Sequence, residues 1–127
     1  MIKTTEKKRI ERLIVRFLKD HNLTQYRHNG VIYIDDIAPN CGTIKIYDQE
    51  KLFEIRVYLE MCGGYRSVCQ VVMHELTHLY LHEITSLYEF MERNEAPAYM
   101  LKELVEVGEK ITHKLSELFS SIYLDGI

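Results

Sequence analysis

The stretch LFEIRVYLEMCGGYRSVCQVVMHELTHLY, residues 52–80, changes its hydrophobic period halfway along and so decides the fold. Over Leu52–Leu59 apolar and polar side chains alternate, which predicts a strand buried on one face. Gly63-Gly64 breaks the chain, and from about Arg66 to Ile84 the apolar residues recur at helical spacing. The stretch therefore predicts a strand, a turn and an amphipathic helix.

The residues before this stretch predict one helix and two further strands. Apolar residues recur at helical spacing over about residues 5–20, with charged residues between them, which indicates an amphipathic helix: Ile10, Leu13, Ile14, Phe17 and Leu18. Val31–Ile34 follows the turn signal Asn29-Gly30, and Thr43–Tyr47 alternates apolar and polar side chains. The connections are short enough for an antiparallel meander with Leu52–Leu59.

The residues after the stretch predict the remaining helical region, at about 95–119. Pro97 is tolerated only in a first helical turn, so it sets the start near Glu95 or Ala96. Gly108 marks a kink or a division into two helices. The order predicts an α+β fold in a single domain, residues 1–127: an N-terminal helix, a small three-stranded antiparallel sheet, the central helix and C-terminal helices.

Composition limits the classes of partner and the compartment. The 127 residues are 46% hydrophobic and 28% charged with a net charge of −3, and a chain without a basic excess is not expected to bind nucleic acid. No apolar run approaches the ~20 residues that span a bilayer. Three cysteines (Cys41, Cys62 and Cys69) cannot all pair within the chain, so we expect reduced thiols that pack as small buried hydrophobes. We therefore expect a cytoplasmic protein that contacts no membrane.

The motif His74-Glu75-Leu76-Thr77-His78 carries the chemistry. Residues four apart lie one turn above each other on a helix, so His74 and His78 can both reach one Zn²⁺ ion at ~2.0–2.1 Å. Glu75 then projects beside the metal, where it can take a proton from the zinc-bound water and pass it to a leaving amine. The motif predicts a zinc-dependent metallopeptidase that hydrolyses a protein or peptide substrate.

Catalytic zinc usually takes three protein ligands, so one more is expected downstream. The metzincin pattern needs Gly and His at the positions of Leu81 and Ile84, which excludes that class. The gluzincin pattern needs a glutamate on a following helix, and the candidates are Glu83, Glu89, Glu92 and Glu95. Asn94-Glu95-Ala96 resembles the stretch that bears the glutamate ligand in thermolysin-like enzymes, so we predict Glu95, with Glu92 in reserve.

Two further residues are candidates for this site. His82 lies one turn beyond His78 and is an alternative ligand, in a site with three histidines. Tyr99 lies one turn after Glu95, where its hydroxyl would stabilise the oxyanion of a tetrahedral intermediate; the alternative is an aromatic residue that packs between helices.

The motif and the segment Glu95-Ala96, continued by Ala98-Tyr99-Met100-Leu101, resemble the ImmA/IrrE family of gluzincin-like metallopeptidases over about residues 52–105. The resemblance implies His74, His78 and Glu95 as ligands, Glu75 as general base, and a cytosolic enzyme acting on a regulatory protein such as a transcriptional repressor. The chain departs from the family at Thr77, where glycine is common. A SprT-like, DNA-associated protease is the second family that the motif resembles.

Two other interpretations concern activity and substrate. A chain of this length has little room for an extended cleft, so a non-catalytic binding or regulatory module with a zincin-like fold is the alternative to an enzyme. The strand Leu52–Leu59 is a candidate edge for pairing with an extended peptide, provided that it lies at the edge of the sheet.

Overall fold

The computed structural model describes residues 2–127, with side chains described for all of them except residues 83–85. Its elements, in chain order, are α1 (Thr4–Asp20), β1 (Arg27–Ile34), β2 (Gly42–Tyr47), β3 (Leu52–Tyr58), a 3₁₀ turn (Leu59–Met61), α2 (Tyr65–Tyr80), α3 (His82–Arg93) and α4 (Ala98–Tyr123). The predicted α+β class, with a three-stranded sheet and helices on either side of it in sequence, is confirmed.

Helix α1 forms as its apolar period predicts. The five residues of the predicted stripe are all buried: Ile10, Leu13, Ile14, Phe17 and Leu18. At the first turn the backbone N–H of Lys3 donates to the Glu6 carboxylate at 2.9 Å, which satisfies a donor that the helix itself leaves free. The helix therefore starts at a defined residue and packs its stripe into the core.

The strand order is β1-β3-β2, with β2 antiparallel to β3 and β1 parallel to β3. The predicted all-antiparallel meander is therefore wrong for β1. Strand β3 carries Phe53, Ile55 and Val57, each at most 1% exposed. Because β3 is the central strand, both of its edges are hydrogen-bonded to neighbouring strands. The connection after β1 crosses to the far side of β3, where β2 lies.

Strand β1 begins at Arg27, upstream of the predicted start. The pair Asn29-Gly30, read as a turn signal, lies inside the strand at a register shift between His28 and Val31. Gly30 has φ 85°, a left-handed conformation that glycine adopts without steric cost. The glycine marks an irregularity in the strand, as glycine does at many bulges.

The buried side chains form one cluster, to which α1, β3, α2 and the end of α4 contribute. Helix α2 packs against α4, α1 and the sheet. One face of α2 supplies completely or almost completely buried apolar side chains: Val68, Cys69, Val72, Met73, Leu76 and Leu79. Because this face is directed into the core, the polar residues between these positions lie on another side of the helix.

The helices divide at different residues from those predicted. Helix α2 ends at Tyr80, and Leu81 separates it from α3, so the predicted continuation to Ile84 is wrong. Helix α4 begins at Ala98, after Pro97 at φ −57° and ψ 142°, and runs to Tyr123 without dividing at Gly108. A proline disfavours helical conformation in the residue before it, which explains why the helix does not begin at Glu95 or Ala96.

Candidate functional site

Helix α2 presents His74, Glu75 and His78 to a cleft of about 1220 Å³. One wall of the cleft is formed by β2 and the two residues before it, from Asn40 to Ile46. Helix α4 contributes another wall with residues between Glu109 and Ser121. The structure thus brings together the three motif residues that the sequence predicts, on the side of α2 that the core does not take.

The two histidines lie one above the other, with their ring centroids 4.9 Å apart and their planes at 80°. Burial lowers the pKa of His74, and the neighbouring His78 lowers it further. Burial likewise lowers the pKa of His78. A lowered pKa favours neutral imidazole, which is the form that binds a metal ion.

Glu75 is only 6% exposed, although it is an acidic residue. Burial, with a smaller contribution from the charge of Glu109, raises the pKa of Glu75 to about 7. A carboxyl group with a pKa close to neutral exchanges protons readily at physiological pH, which suits a general base.

Glu109 of α4 is the acidic residue that faces all three motif residues. Its charge opposes the lowering of the pKa of His74 and of His78, and it raises that of Glu75. Glu109 also lines the cleft, as does His113 one turn later on α4. Glu109 is not among the residues predicted from the sequence; its only local signal is the pair Glu109 and His113, four residues apart on the polar side of a helix.

The predicted third ligand lies elsewhere. Glu95 is exposed in the connection between α3 and α4, at φ 57°, and it is not among the described residues that line the cleft. Glu92, also exposed, is absent from that lining as well. The side chain of Glu83 lies outside the described residues. Of the candidate glutamates, Glu89 of α3 lines the cleft.

His82 lines the same cleft, and its Nε2 atom lies 2.7 Å from Oδ1 of Asp48 in the turn between β2 and β3. This contact joins the start of α3 to the sheet. Tyr99, the predicted oxyanion donor, is 70% exposed near the start of α4 and is not among the described residues of the cleft lining. The structure therefore places His82 in the same cleft as the motif and leaves Tyr99 outside the described lining.

Among the side chains that the structure describes, no group of three or more His, Cys, Asp or Glu residues stands close enough together to hold a metal ion. The kinds of donor in the cleft nevertheless suit zinc, which binds imidazole nitrogen and carboxylate oxygen. His74 and His78 supply the first kind and Glu109 the second, so the residues fit the metal by their chemistry.

A smaller pocket of about 220 Å³ adjoins His78 on the side of α3 and α4. It is mainly apolar and shares Glu109 with the large cleft; its other lining residues are Leu81, Tyr88, Leu104, Val105, Gly108 and Thr112. His78 therefore stands between the large cleft and a smaller, mainly apolar recess.

No protein-family model matches the chain, and comparison with curated proteins and with solved structures found no match. Within residues 2–127, no helix is both long enough and apolar enough to cross a membrane.

Proposed function

We propose that this chain is a zinc-dependent peptidase whose active site is the cleft around α2. One observation carries the proposal: two histidines that favour the neutral form and a buried glutamate with a pKa of about 7 share one cleft. Structural burial alone would select apolar side chains at these positions, because a buried carboxylate is costly. The arrangement instead suits metal binding next to a proton acceptor.

His74 and His78 would hold the metal, and we propose Glu109 as the third ligand in place of Glu95. Two imidazoles and one carboxylate are the protein ligands of several catalytic zinc sites. Glu109 is favoured because it lines the same cleft and its charge acts on both histidines, although its side chain must move closer to them to complete a metal site. A bound Zn²⁺ ion polarises a carbonyl group and lowers the pKa of a water molecule that it binds.

Glu75 is the proton carrier in this proposal. Its carboxylate oxygens accept a proton and return it to the leaving amine, and a pKa of about 7 allows both transfers near neutral pH. His74 and His78 are unsuited to this role, because they hold the metal through the same ring nitrogens that would carry the proton.

The substrate edge that we propose is β2. The hypothesis that Leu52–Leu59 pairs with a peptide is wrong, because β3 is the central strand. Among the described strands, β2 pairs with β3 alone, and its residues line the cleft. An extended peptide can add to such an edge through backbone hydrogen bonds, which supports a protein or peptide substrate. The resemblance to the ImmA/IrrE family extends this proposal to a regulatory protein in the cytosol.

The test is to measure zinc affinity by competition with a chelator in the wild type and in the variants Glu75→Gln, Glu109→Gln and Glu95→Gln. Each variant is also assayed on a library of internally quenched peptides. We expect Glu75→Gln to bind zinc like the wild type and to lose cleavage. Glu109→Gln should weaken zinc binding by more than the roughly 10–100-fold that outer-shell changes cause, and Glu95→Gln should leave it unchanged.

Other outcomes have definite meanings. Weak zinc binding by Glu95→Gln, together with normal binding by Glu109→Gln, would make Glu95 the ligand and require the α3–α4 connection to move. A wild-type chain that binds no zinc would overturn the proposal in favour of a non-catalytic binding module. If the wild type binds zinc but cleaves none of the peptides, the metal site would be supported and the proposed peptidase activity on these peptides would be refuted.

A further inference from the structure

Two of the three cysteines are neighbours, and one of them, Cys41, lines the cleft. Cys41 directly precedes β2, and Cys62 directly follows the 3₁₀ turn after β3. The Cys41 thiol donates to the Met61 carbonyl oxygen at 3.6 Å, and that carbonyl belongs to the peptide bond leading into Cys62. The expectation that all three cysteines are buried is wrong, because Cys41 is exposed and only Cys69 is fully buried.

Further hydrogen bonds hold the two cysteines to the same residue of β3. The carbonyl oxygen of Cys41 accepts from the backbone N–H of Tyr58 at 2.9 Å. The thiol of Cys62 donates to the carbonyl oxygen of Tyr58 at 3.5 Å. The backbone of Cys41 and the sulfur of Cys62 are therefore both held at the backbone of Tyr58.

The surroundings of the two thiols differ. Cys62 is partly buried, and burial raises the pKa of its thiol; the charge of Cys41 raises it further and a hydrogen bond with Ser67 lowers it. The effect of Cys41 on this pKa is a second sign that the two sulfurs are neighbours. Because Cys41 is exposed and lines the cleft, a dissolved reagent reaches it before it reaches Cys62.

Both cysteines also lie where the backbone can adjust. Cys41 is in a bend outside β2, and Cys62 is the C-cap of the 3₁₀ turn with extended backbone, φ −113° and ψ 143°. A disulfide requires its two Cα atoms within about 4.4–6.8 Å, and small shifts at the ends of elements satisfy this more easily than shifts inside a helix or strand.

We propose that Cys41 and Cys62 form a reversible oxidation site, at which a small-molecule disulfide such as glutathione disulfide converts the two thiols into an intramolecular disulfide. The Cys41 thiolate attacks one glutathione sulfur, forming a mixed disulfide and releasing one glutathione thiolate. The Cys62 thiolate then attacks the sulfur of Cys41 and releases the second. Two cysteine thiols lose two protons and two electrons, and one glutathione disulfide becomes two glutathione thiols.

The consequence is a covalent link between the strand that borders the cleft and the segment that leads into α2. This inference does not depend on the proposed peptidase function, because it needs only the two thiols and their contacts. Cytosolic disulfides are usually transient and redox-sensing, so a bond that dithiothreitol reverses is the form we expect.

The experiment uses the full chain with EDTA present, so that no metal protects the thiols. The protein is incubated with glutathione disulfide, blocked with an alkylating reagent under denaturing conditions and mapped by mass spectrometry. We expect a Cys41–Cys62 peptide link with Cys69 still alkylated, and a rise in Tm of roughly 10 °C that dithiothreitol reverses. Cys69→Ser is the matched control and should form the same link.

The variant Cys62→Ser should retain one glutathione on Cys41, because the second thiol is missing, and Cys41→Ser should form no link. Persistent glutathione on Cys41 in the wild type would overturn the proposal, since it would show that Cys62 does not reach the mixed disulfide. An unmodified Cys41 would overturn it as well. The wild-type peptide map decides the matter even if a serine variant folds poorly.

Discussion

The substitution Glu75→Gln should stabilise the metal-free protein, and the gain should grow with pH. The folded state raises the pKa of Glu75 from its ordinary value of 4.5 to about 7, mainly through burial. Below pH 4.5 the carboxyl is protonated in both the folded and unfolded states and costs nothing. Between pH 4.5 and 7 the unfolded state ionises while the folded state keeps the proton, so stability is lost progressively. Above about pH 7 the folded state holds a buried carboxylate and the loss is complete.

The size of the stability difference follows from the two pKa values of Glu75, 4.5 in the unfolded state and about 7 in the folded state. At 1.36 kcal/mol per pH unit, the wild type carries a penalty of about 0.8 kcal/mol at pH 5 and about 3.3 kcal/mol at pH 8. Glutamine has nearly the same shape and no charge, so its burial costs much less than that of a carboxylate. The advantage of the variant should therefore increase by about 2.5 kcal/mol between these two pH values.

The assay is urea unfolding of both proteins in EDTA across this pH range, followed by circular dichroism. With a slope of about 1–3 kcal/mol per molar urea, the two midpoints should separate by roughly 1 M or more at the higher pH. Histidine titrations affect both proteins in the same sense and largely cancel in the difference. Glu106→Gln, at an exposed position of α4, is the control and should change stability by at most about 0.5 kcal/mol at any pH.

A gap between wild type and Glu75→Gln that stays constant with pH would refute this reasoning. It would show that the Glu75 carboxylate is as well solvated in the folded chain as in the unfolded chain. The assignment of Glu75 as a proton carrier poised near neutral pH would then lose its physical basis in the metal-free protein.

Three further substitutions, one of them with a control, test the packing of the fold by urea unfolding. A Cβ atom at Gly42 would collide with a valine side chain of α2 and approach a carbonyl oxygen of β3 to 2.9 Å, so Gly42→Ala should cost about 1–3 kcal/mol, whereas Gly63→Ala, with open space around it, should be nearly neutral. Tyr123→Phe removes a hydroxyl that donates to the Asp20 carboxylate at 2.8 Å and should cost about 1 kcal/mol. Phe53→Ala empties a fully buried position in β3 and should cost about 3–5 kcal/mol.

For each of these three substitutions, one result would contradict the prediction. Equal stability of Gly42→Ala and wild type would mean that β2 does not lie against α2 and does not form a wall of the cleft. An unchanged Tyr123→Phe would mean that the ends of α1 and α4 are not joined through this hydroxyl. A loss below about 1 kcal/mol for Phe53→Ala would contradict the central position of β3.

The elements that the sequence predicts well are those whose signal is local. The apolar stripe of α1 needs only the geometry of one helix to bring residues three and four apart onto one face, and all five of its residues are buried. The same geometry places His74 and His78 on one side of α2. Alternation along Phe53, Ile55 and Val57 likewise marks a strand buried on one face.

The pairing of the strands is not contained in that alternation. A period of two shows which face of a strand is buried, but it does not show which neighbour the strand takes or in which direction. The parallel pairing of β1 with β3 and the irregularity at Gly30 depend on the path of the chain between strands. For the same reason Asn29-Gly30, a reliable turn signal in isolation, lies within β1.

By itself the sequence determined that His74, Glu75 and His78 share one helix at the spacing of one turn, because helical geometry is a local property. Only the tertiary structure decided which carboxylate faces them, because that depends on how α4 packs against α2. This packing brings Glu109 into the lining of the cleft and leaves Glu95 outside it, in the connection between α3 and α4. The raised pKa of Glu75 has the same origin, since burial comes from elements far away in the sequence.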